Sequence, residues 1–333
     1  MFTAAIVLAL LFSLTNGVHD ASNAIATLVA TRAATPAQAI VLAAVCGLAG
    51  PLLVGAAVAD TIGAIVIVPG SAGVRVIAGA LLAAVTWNAL TWLAGLPSSS
   101  GHALVGGLAG AGLAQAGTDA IRWGGLDGLH PVGIAGTVIG LAVAPVLGAG
   151  AAAAAIGAVR RLARRATARL RGPTRAGQWA MAGALAFSHG ANDAQKSVGV
   201  IAALLVADGR ATSLGSPTWA ILASATALTV GTAMGGWRIV HTVGRRIYRL
   251  HPIDSLASQT ASAGVILGAS LLGAPVSTTQ VVASSVVGVG AGRRRMHHVH
   301  WTVVRHMGLA WVVTVPATGA IAALAVLAGR AAA

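Results

Sequence analysis

Two short polar stretches interrupt long apolar segments and hold residues able to do chemistry. The first, NGVHDASNAIA at 16–26, contains Asp20, and the second, HGANDAQKSVG at 189–199, contains Asp193 and Lys196. An ionisable side chain at the centre of a membrane costs about 2.5–3.5 kcal/mol on insertion scales. Groups that carry such a cost are candidates for binding an ion or moving a proton.

The segments around these stretches indicate a membrane protein. Of 333 residues, 56% are hydrophobic and 8% are charged, whereas soluble domains carry about 25% charged residues. Apolar runs of about 20 residues can each span a bilayer. About ten runs are present, at 2–31, 36–59, 71–95, 97–116, 131–157, 179–207, 216–240, 252–272, 275–292 and 301–328. The sequence therefore predicts an all-α polytopic membrane protein with about ten transmembrane segments.

The net charge of +14 comes from arginines that cluster in short connectors between the apolar runs. The clusters lie at 160–175, 238–249 and 293–295. Cytoplasmic loops collect such residues for topological reasons, and contact with anionic membrane lipid fits the same pattern. Aromatic residues for stacking on bases do not accompany them, so we predict no nucleic-acid partner. The single cysteine, Cys46, excludes an intrachain disulfide.

An internal repeat relates the two halves of the chain. The stretch 16–26 matches 189–199, and PSSSGHALVGGLAGAG at 97–112 matches PVSTTQVVASSVVGVG at 275–290. The matched pairs are Asp20 with Asp193, Asn23 with Lys196, Ser99 with Ser277, and Ser100 with Thr278. We therefore divide the chain into a first transmembrane repeat, 1–157, a basic cytoplasmic linker, 158–178, and a second transmembrane repeat, 179–333.

The number of segments sets the relative orientation of the repeats. With five crossings in each half, the halves face the membrane in opposite directions. Inverted repeats of this kind are common in secondary transporters, whose substrate site lies at the repeat interface. Segments 97–116 and 275–292 are rich in Gly and Ser, and each either crosses the bilayer or enters and returns.

Both acidic stretches resemble breaks in a helix, because TNGVHD and SHGAND place Gly beside polar residues in mid-span. A break exposes backbone N–H groups at a new helix N-terminus, and these attract an anion. We therefore predict helix N-termini near 21–23 and near Asn192. The hydroxyls of PSSSG and PVSTT fit either N-capping or donation to an anion.

Four stretches together resemble the PiT family of inorganic phosphate transporters. They are NGVHDASNAIATLVATRA, WNALTWLAGLPSSSGHALVG, SHGANDAQKSVG and APVSTTQVVASS, spread over the whole chain. The family's signature has the form G-x-N-D-x-x-N near the start of each half. The resemblance implies a multi-pass protein of the plasma (inner) membrane, not an enzyme, that moves phosphate with a cation, often as a dimer.

In two features the sequence resembles the bacterial low-affinity, proton-coupled branch of the PiT family. Members of that branch carry phosphate or neutral metal–phosphate complexes. His19 stands where sodium-coupled relatives tend to have Asn, and DAQK replaces their D-x-x-N. Two positions depart from the family pattern, since Gly101 follows Ser100 and Gln280 stands where His is usual. These departures argue against a universal role for a His pair.

We expect the matched residues to divide between binding and coupling. The predicted phosphate site consists of Asp20, Asn23, Ser99, Ser100, Asn192, Asp193, Ser277, Thr278 and Thr279. The predicted coupling residues are His19, Asp20, Asp193, Gln195 and Lys196. The proton is the predicted coupling ion, and a divalent metal is a candidate for co-transport whose ligands the sequence does not identify. Lys196 presents donors and no oxygen ligand, which disfavours a sodium site in the second motif.

Several alternatives remain open at the level of sequence. Sodium coupling is one, and a related oxyanion such as sulfate or arsenate is another. A channel is disfavoured because two buried Asp sites suit alternating access better than an open pore. An intramembrane serine hydrolase needs a base next to the serine, and the second Ser/Thr motif has Gln280 at that place.

Overall fold

The structure is a computed structural model that describes residues 1–127, 130–162 and 171–331. The helices are α1 (Phe2–Ala30), α2 (Pro36–Leu53), α3 (Ala57–Gly63), α4 (Gly70–Leu93), α5 (Ser100–Ala116), α6 (Gly133–Leu162), α7 (Arg171–Ala207), α8 (Thr218–Met234), α9 (Trp237–His241), α10 (Pro252–Leu271), α11 (Thr278–Gly292) and α12 (Trp301–Ala331). Strands β1 (Leu126–Asp127) and β2 (His130–Pro131) form a small antiparallel ribbon. The prediction of an all-α protein is confirmed.

Each of the ten predicted apolar segments contains one long helix within the described ranges. Five helices, α1, α2, α4, α6 and α12, are individually long and apolar enough to cross a membrane. Helices α8 and α9 pass the same criterion as a pair bent by 62°. The remaining long helices, α5, α7, α10 and α11, are shorter or more polar, and they carry many of the buried polar groups described below.

The predicted breaks at the acidic stretches are wrong. Helix α1 runs for 29 residues through Gly17 and Asp20, and α7 runs for 37 residues through Gly190 and Asp193. The glycines serve close helix packing instead. A Cβ added at Gly17 would lie 2.1 Å from the Leu228 carbonyl oxygen of α8, and one at Gly190 would lie 2.0 Å from a carbonyl oxygen of α2. No helix therefore begins near 21–23 or Asn192.

Helix breaks occur instead in the second segment of each half. Residues 54–56 separate α2 from α3, and Gly235 and Gly236 separate α8 from α9. Gly235 has a φ of 70°, a conformation that favours glycine over other residues. The prediction of broken helices was therefore right about their presence and wrong about their place.

Helices from the two halves alternate in the packing. Helix α1 packs against α8, and α7 packs against α2. Helix α5 packs against α12, and α11 packs against α6. The carboxylate-bearing helix of each half thus contacts the other half. The opposite orientation of the halves in a membrane stays a prediction from the odd number of predicted crossings in each half.

Two helical hairpins, α4–α5 and α10–α11, return the chain toward its starting side. Ile67 N donates to Ala120 O near the ends of the first hairpin, and Arg293 pairs with Asp254 at the ends of the second. The returning helices have 17 and 15 residues, or about 25 and 22 Å, less than the roughly 30 Å of a bilayer core. Ser99 and Ser277, the N-caps of the two returning helices, are buried, so both helices begin inside the protein.

A polar layer lies between two apolar clusters. One cluster includes Phe12 and Leu204, and the other includes Leu28 and Leu185. Along both α1 and α7, the acidic stretch falls between the two clusters. Burial of apolar side chains on either side therefore holds both stretches in the interior.

The predicted linker 158–178 is helical at both of its ends. Helix α6 continues to Leu162 and α7 begins at Arg171. Residues 163–170, with the arginines 164, 165 and 169 of the predicted basic connector, lie outside the described residues.

Candidate functional site

The polar residues of α1 lie on one helix face. Asn16, Asp20 and Asn23 are spaced by four and three residues, a spacing that brings side chains onto the same side of a helix. All three side chains are buried. The continuous helix therefore presents one carboxylate with an amide on either side of it.

Helix α7 repeats this arrangement with different residue types. His189, Asp193 and Lys196 have the same spacing and are also buried. The ammonium of Lys196 is hydrogen-bonded to Asp193 Oδ1 and donates to the backbone oxygen of Val276 at 2.9 Å. His189 Nδ1 lies 2.7 Å from Asp193 Oδ2.

Two threonines at the start of α11 connect the two carboxylates. Thr278 Oγ1 lies 2.9 Å from Asp193 Oδ2 and 3.4 Å from Asp20 Oδ2. Thr279 Oγ1 donates to Asp20 Oδ1 at 2.8 Å. Asn23 Nδ2 donates to both threonine oxygens, at 3.2 and 3.1 Å. The structure thus brings the predicted Asp20, Asn23, Asp193, Thr278 and Thr279 into one network.

His19 extends the network from Asp20 toward α4. Its Nδ1 lies 2.9 Å from Asp20 Oδ1. Its Nε2 lies 3.2 Å from Thr91 Oγ1 and 3.3 Å from Ser98 Oγ. His19 therefore links Asp20 to the hydroxyls of Thr91 and Ser98.

The serines before the hairpin helices act as N-caps. Ser99 Oγ accepts from His102 N at 3.2 Å, and Ser277 Oγ accepts from Gln280 N at 3.3 Å. This capping was one of the two functions predicted for the hydroxyls. It leaves the partial positive charge of both helix N-termini directed at the carboxylate layer.

Helix α5 begins close to the lysine of the second half. A Cβ added at Gly101 would lie 3.5 Å from Lys196 Nζ. Ser100 precedes Gly101 and is buried at the first turn of α5. The hydroxyl motif of the first half therefore reaches the Asp193–Lys196 pair of the second half, although its serines do not bridge the two Asp residues as the threonines do.

Two predicted residues hold neighbouring segments in place. Asn192 Nδ2 donates to Ser270 Oγ at 3.0 Å and to Ala274 O at 3.3 Å, and its Oδ1 accepts from Val276 N at 3.4 Å. Gln195 Oε1 accepts from two backbone N–H groups at the start of α3, at 2.8 and 3.3 Å. These contacts direct the two side chains to the loop before α11 and to the start of α3, and they orient those segments.

Sequence reasoning missed His189, Thr91 and Ser98. A signal existed for His189, because the repeat aligns it with Asn16, and because it precedes Asp193 by one helical turn. Ser98 belongs to the PSSSG motif, whose hydroxyls are predicted to cap a helix or to bind an anion, but its contact with His19, like that of Thr91, depends on how the loop 94–99 folds back on α4. Their roles became visible only in three dimensions.

The site combines two carboxylates with the ammonium of Lys196 and several hydrogen-bond donors. Asp20, His189 and Asp193 offer ligand atoms that all lie within 4.8 Å of one another, a separation small enough for one metal ion to contact all three. The threonine hydroxyls and the two helix N-termini can donate to an oxyanion. The arrangement can therefore hold an oxyanion and a cation or proton side by side.

Comparison with known proteins matches the chain to one family and to named relatives. A family model described as "Phosphate transporter family" matches residues 16–174 and 163–322. A protein of Rhizobium meliloti strain 1021 named "Probable low-affinity inorganic phosphate transporter" is 41% identical over 324 residues, or 96% of this chain and 93% of the relative. A protein of the same name from Bacillus subtilis strain 168 is 37% identical, over 96% of this chain and 94% of the relative.

A solved structure has the same fold. The protein is described as "The sodium-dependent phosphate transporter", with a TM-score of 0.85, 24% sequence identity, and coverage of 99% of this chain and 98% of that chain. The likeness extends over nearly the full length of both chains. At this level of identity it concerns the arrangement of the backbone and not the ions bound.

Proposed function

The chain belongs to the phosphate transporter family, and we propose that it imports inorganic phosphate by proton symport. In this proposal the protein works by alternating access in the plasma membrane, with Asp20, Asn23, Thr278 and Thr279 at the phosphate site. His19 and Asp20 carry the coupling proton. Lys196 takes the place of a metal cation beside Asp193.

The hydrogen bonds of the threonines supply a physical link between protons and phosphate. Each hydroxyl has one proton to donate. In the network described above, the Thr279 hydroxyl donates its hydrogen bond to Asp20, and the Thr278 hydroxyl has its shortest contact with Asp193. Both hydroxyls therefore serve the carboxylates and are not available to an anion.

A proton on Asp20 changes this competition. A protonated carboxyl group no longer attracts a hydroxyl donor strongly, so Thr279 can turn toward a phosphate oxygen. A phosphate that arrives as HPO₄²⁻ or H₂PO₄⁻ can also donate its own O–H to a carboxylate. Either route makes phosphate binding and proton binding favour each other, which is what a symporter requires.

The position of the Lys196 side chain supports coupling to protons over coupling to sodium. Its buried ammonium is held between Asp193 and the Val276 carbonyl, both oxygen acceptors that a sodium ion would need. The matched residue of the first half, Asn23, has its amide nitrogen, not its oxygen, directed at the threonines. A fixed positive charge beside Asp193 compensates that carboxylate permanently and leaves Asp20 as the carboxylate free to exchange a proton.

The membrane potential explains why a cation is needed. Each charge moved against an inside-negative potential costs about 2.3 kcal/mol per 100 mV, so bare dianion entry is unfavourable. Protons that accompany the anion cancel this cost. A neutral metal–phosphate complex is a second form of the cargo, in which Asp20, His189 and Asp193 contact the metal as part of the substrate.

The test is uptake of radiolabelled phosphate by proteoliposomes that hold the purified protein. Proton, sodium and electrical gradients are imposed one at a time with ionophores. We expect uptake in sodium-free buffer when the outside is acidic, and loss of accumulation when a protonophore is added. Uptake that requires sodium and ignores the protonophore contradicts the proposal and favours the sodium-coupled alternative.

Two further arms of the same assay define the cargo. Uptake with a chelator, compared with uptake in the presence of Mg²⁺, separates free phosphate from metal–phosphate. Competition by arsenate and sulfate tests the site for related oxyanions. Arsenate matches phosphate in shape and charge, and we expect it to compete. Sulfate lacks an ionisable proton at neutral pH, so it cannot donate to Asp20 and we expect it to compete poorly.

A further inference from the structure

The two helical hairpins differ in the polarity of their buried faces. The offset in residue number that matches Ser99 with Ser277 also matches the last residue of α4, Leu93, with the last residue of α10, Leu271. In this alignment Ile77 corresponds to Ser255, and Leu81 corresponds to Gln259. All four side chains are buried, with at most 2% of their surface exposed. The same position in the fold is therefore apolar in α4 and polar in α10.

Gln259 lies on the face of α10 that is directed into the protein. Successive residues of a helix are 100° apart. Ser258 and Ser262 contact Ser285 of α11, at 2.7 and 2.9 Å, whereas Ser270 contacts α7. Gln259 lies between these two directions, and α10 also contacts α1. It has no exposed surface, and neither of its amide atoms has a hydrogen-bond partner among the described residues.

Two more buried hydroxyls without a partner in the described ranges lie on the same side. Thr27 follows Asn23 by one turn of α1, toward the arginine-rich end of the protein. Ser255 precedes Gln259 by one turn of α10, toward the same end. Helical threonines and serines ordinarily bond the carbonyl one turn earlier, as Thr31 does with Thr27 O at 2.9 Å. The unsatisfied groups thus continue from the threonine site toward the arginines.

A basic cavity lies at the end of this series. It has a volume of about 560 Å³, and it is lined by the end of α1, by residues before α10 and by the start of α10. Arg32, Arg249 and His251 contribute its polar side chains together with Thr31. The arginine distribution predicts that this end is cytoplasmic. Arginines at such a mouth attract a phosphate anion and interact with it directly.

We propose that Thr27, Ser255 and Gln259 line the route by which phosphate leaves the site toward the basic cavity. The hydroxyls and the amide nitrogen replace part of the hydration of the anion while it passes between α1 and α10. In this structure Thr27, Ser255 and Gln259 are buried, and α10 is held against α11 by the Ser285 contacts and by the Asp254–Arg293 pair, so the route opens only when α10 moves. The inference rests on the proposed function, because it names the exit for the same cargo.

The alternative is that these polar groups are incidental to helix packing. Leu81 and Ile77 argue against it, because the fold accepts apolar residues at the matched positions of α4. Buried polar groups without partners also reduce stability. Other buried polar groups without partners occur elsewhere in the described residues, but these three lie between the threonine site and the basic cavity, where a passing polar ligand would satisfy them.

The first experiment replaces Gln259 by the residue of the matched position, as Gln259→Leu. The matched control is Thr260→Val, because Thr260 is exposed on the outer face of α10 and bonds only its own helix. Phosphate uptake into proteoliposomes and phosphate binding to the purified protein are both measured. We expect Gln259→Leu to slow uptake at least about tenfold with binding within about twofold of the original, a loss that one or two hydrogen bonds to an anion explain. If Gln259→Leu takes up phosphate at the rate of the unsubstituted protein, the proposal is overturned.

The second experiment tests access and does not depend on transport. Cys46→Ala removes the single cysteine of the chain, and Ser255→Cys or Ile77→Cys is then added. A membrane-impermeant thiol reagent is applied to vesicles of either orientation. We expect Ser255→Cys to react from the arginine-rich side, with a rate that changes when phosphate is present, and Ile77→Cys to remain unreacted. Ser255→Cys that is unreactive from both sides, in protein that still binds phosphate, contradicts the route.

The two experiments separate failure of the route from failure of the proposed function. If the original protein takes up no phosphate under any imposed gradient, the proposed function fails and the route loses its cargo. If the original protein transports phosphate but Gln259→Leu does so equally well, the route alone fails.

Discussion

The two carboxylates of the repeat occupy equivalent places on α1 and α7 but have opposite surroundings. Asp20 is contacted by the hydroxyls of Thr278 and Thr279 and by His19. Asp193 is paired with the ammonium of Lys196 and lies beside a second histidine, His189. One half of the duplicated site therefore holds a lysine–carboxylate ion pair, whereas the carboxylate of the other half has no lysine or arginine beside it among the described residues.

This difference teaches how a duplicated fold can divide its tasks. A buried ion pair is costly to break, because removal of one partner leaves the other as an uncompensated charge. Asp193 and Lys196 therefore suit a permanent scaffold. A carboxylate bonded to hydroxyls can gain or lose a proton with smaller rearrangements, so Asp20 suits the proposed step in which the coupling proton binds and leaves. The predictions below test this division, beginning with the largest expected effect.

The largest effect is expected from Asp193→Asn. The change leaves the Lys196 ammonium buried without its counter-charge, and breaking a buried pair in this way typically costs about 3–5 kcal/mol. We expect little folded protein in the membrane and a strongly lowered unfolding temperature in detergent. The double variant Asp193→Asn with Lys196→Gln removes both charges and should recover much of the stability. Equal unfolding temperatures for Asp193→Asn and Asp20→Asn would show that the two carboxylates are not distinguished as proposed.

Asp20→Asn should affect transport more than folding. The asparagine still accepts from a threonine hydroxyl, but it cannot take up a proton. We expect net uptake driven by a proton gradient to fall to the level of protein-free liposomes, while exchange of labelled for unlabelled phosphate continues. Retained proton-driven accumulation in this variant would remove Asp20 from the coupling mechanism.

Thr278→Ala tests the bridge between the two carboxylates. Loss of a hydrogen bond to a charged group costs about 1.5–3 kcal/mol, so the half-saturating phosphate concentration should rise about tenfold or more. Ser100→Ala, its matched position in the first half, serves as the comparison. Because Thr278 contacts both Asp20 and Asp193, we expect the smaller rise for Ser100→Ala. A larger effect of Ser100→Ala would mean that the first-half hydroxyls form the main phosphate contacts.

Lys196→Asn sharpens the comparison by giving the second half the residue type of the first. Removal of the ammonium opens space beside Asp193 and the Val276 carbonyl, and a sodium ion can then take that place. We expect sodium to raise the unfolding temperature of the variant by roughly 2–4 °C at about ten times its dissociation constant. The original protein should show no such shift, and potassium serves as the control ion. Stabilisation of the original protein by sodium would instead favour a sodium site elsewhere.

Much of the fold could be read from the sequence alone. Apolar runs of about 20 residues have few alternatives to a membrane helix, because backbone polar groups must be satisfied internally in lipid. The repeat and its polar motifs then identified Asp20, Asn23, Asp193, Thr278 and Thr279, and the structure brings these five together. The pairing of Lys196 with Asp193 also follows from their spacing of three residues on a helix.

The tertiary structure decided what the glycines do. Gly17 and Gly190 were interpreted as breaks because glycine weakens an isolated helix. Whether such a helix bends or stays straight depends on what packs against it. Here the backbones of α8 and α2 come so close that a side chain at either position would collide with them, and this packing keeps both helices continuous.

The tertiary structure also decided which hydroxyls and amides reach the carboxylates. PSSSG and PVSTT look equivalent as sequences, yet Thr278 and Thr279 bridge the two Asp residues whereas Ser98 reaches His19 instead. Asn192 and Gln195 stand next to Asp193 in the chain but point to the loop before α11 and to the start of α3. Local sequence fixes the face of a helix, and only the packing of neighbouring helices determines what that face meets.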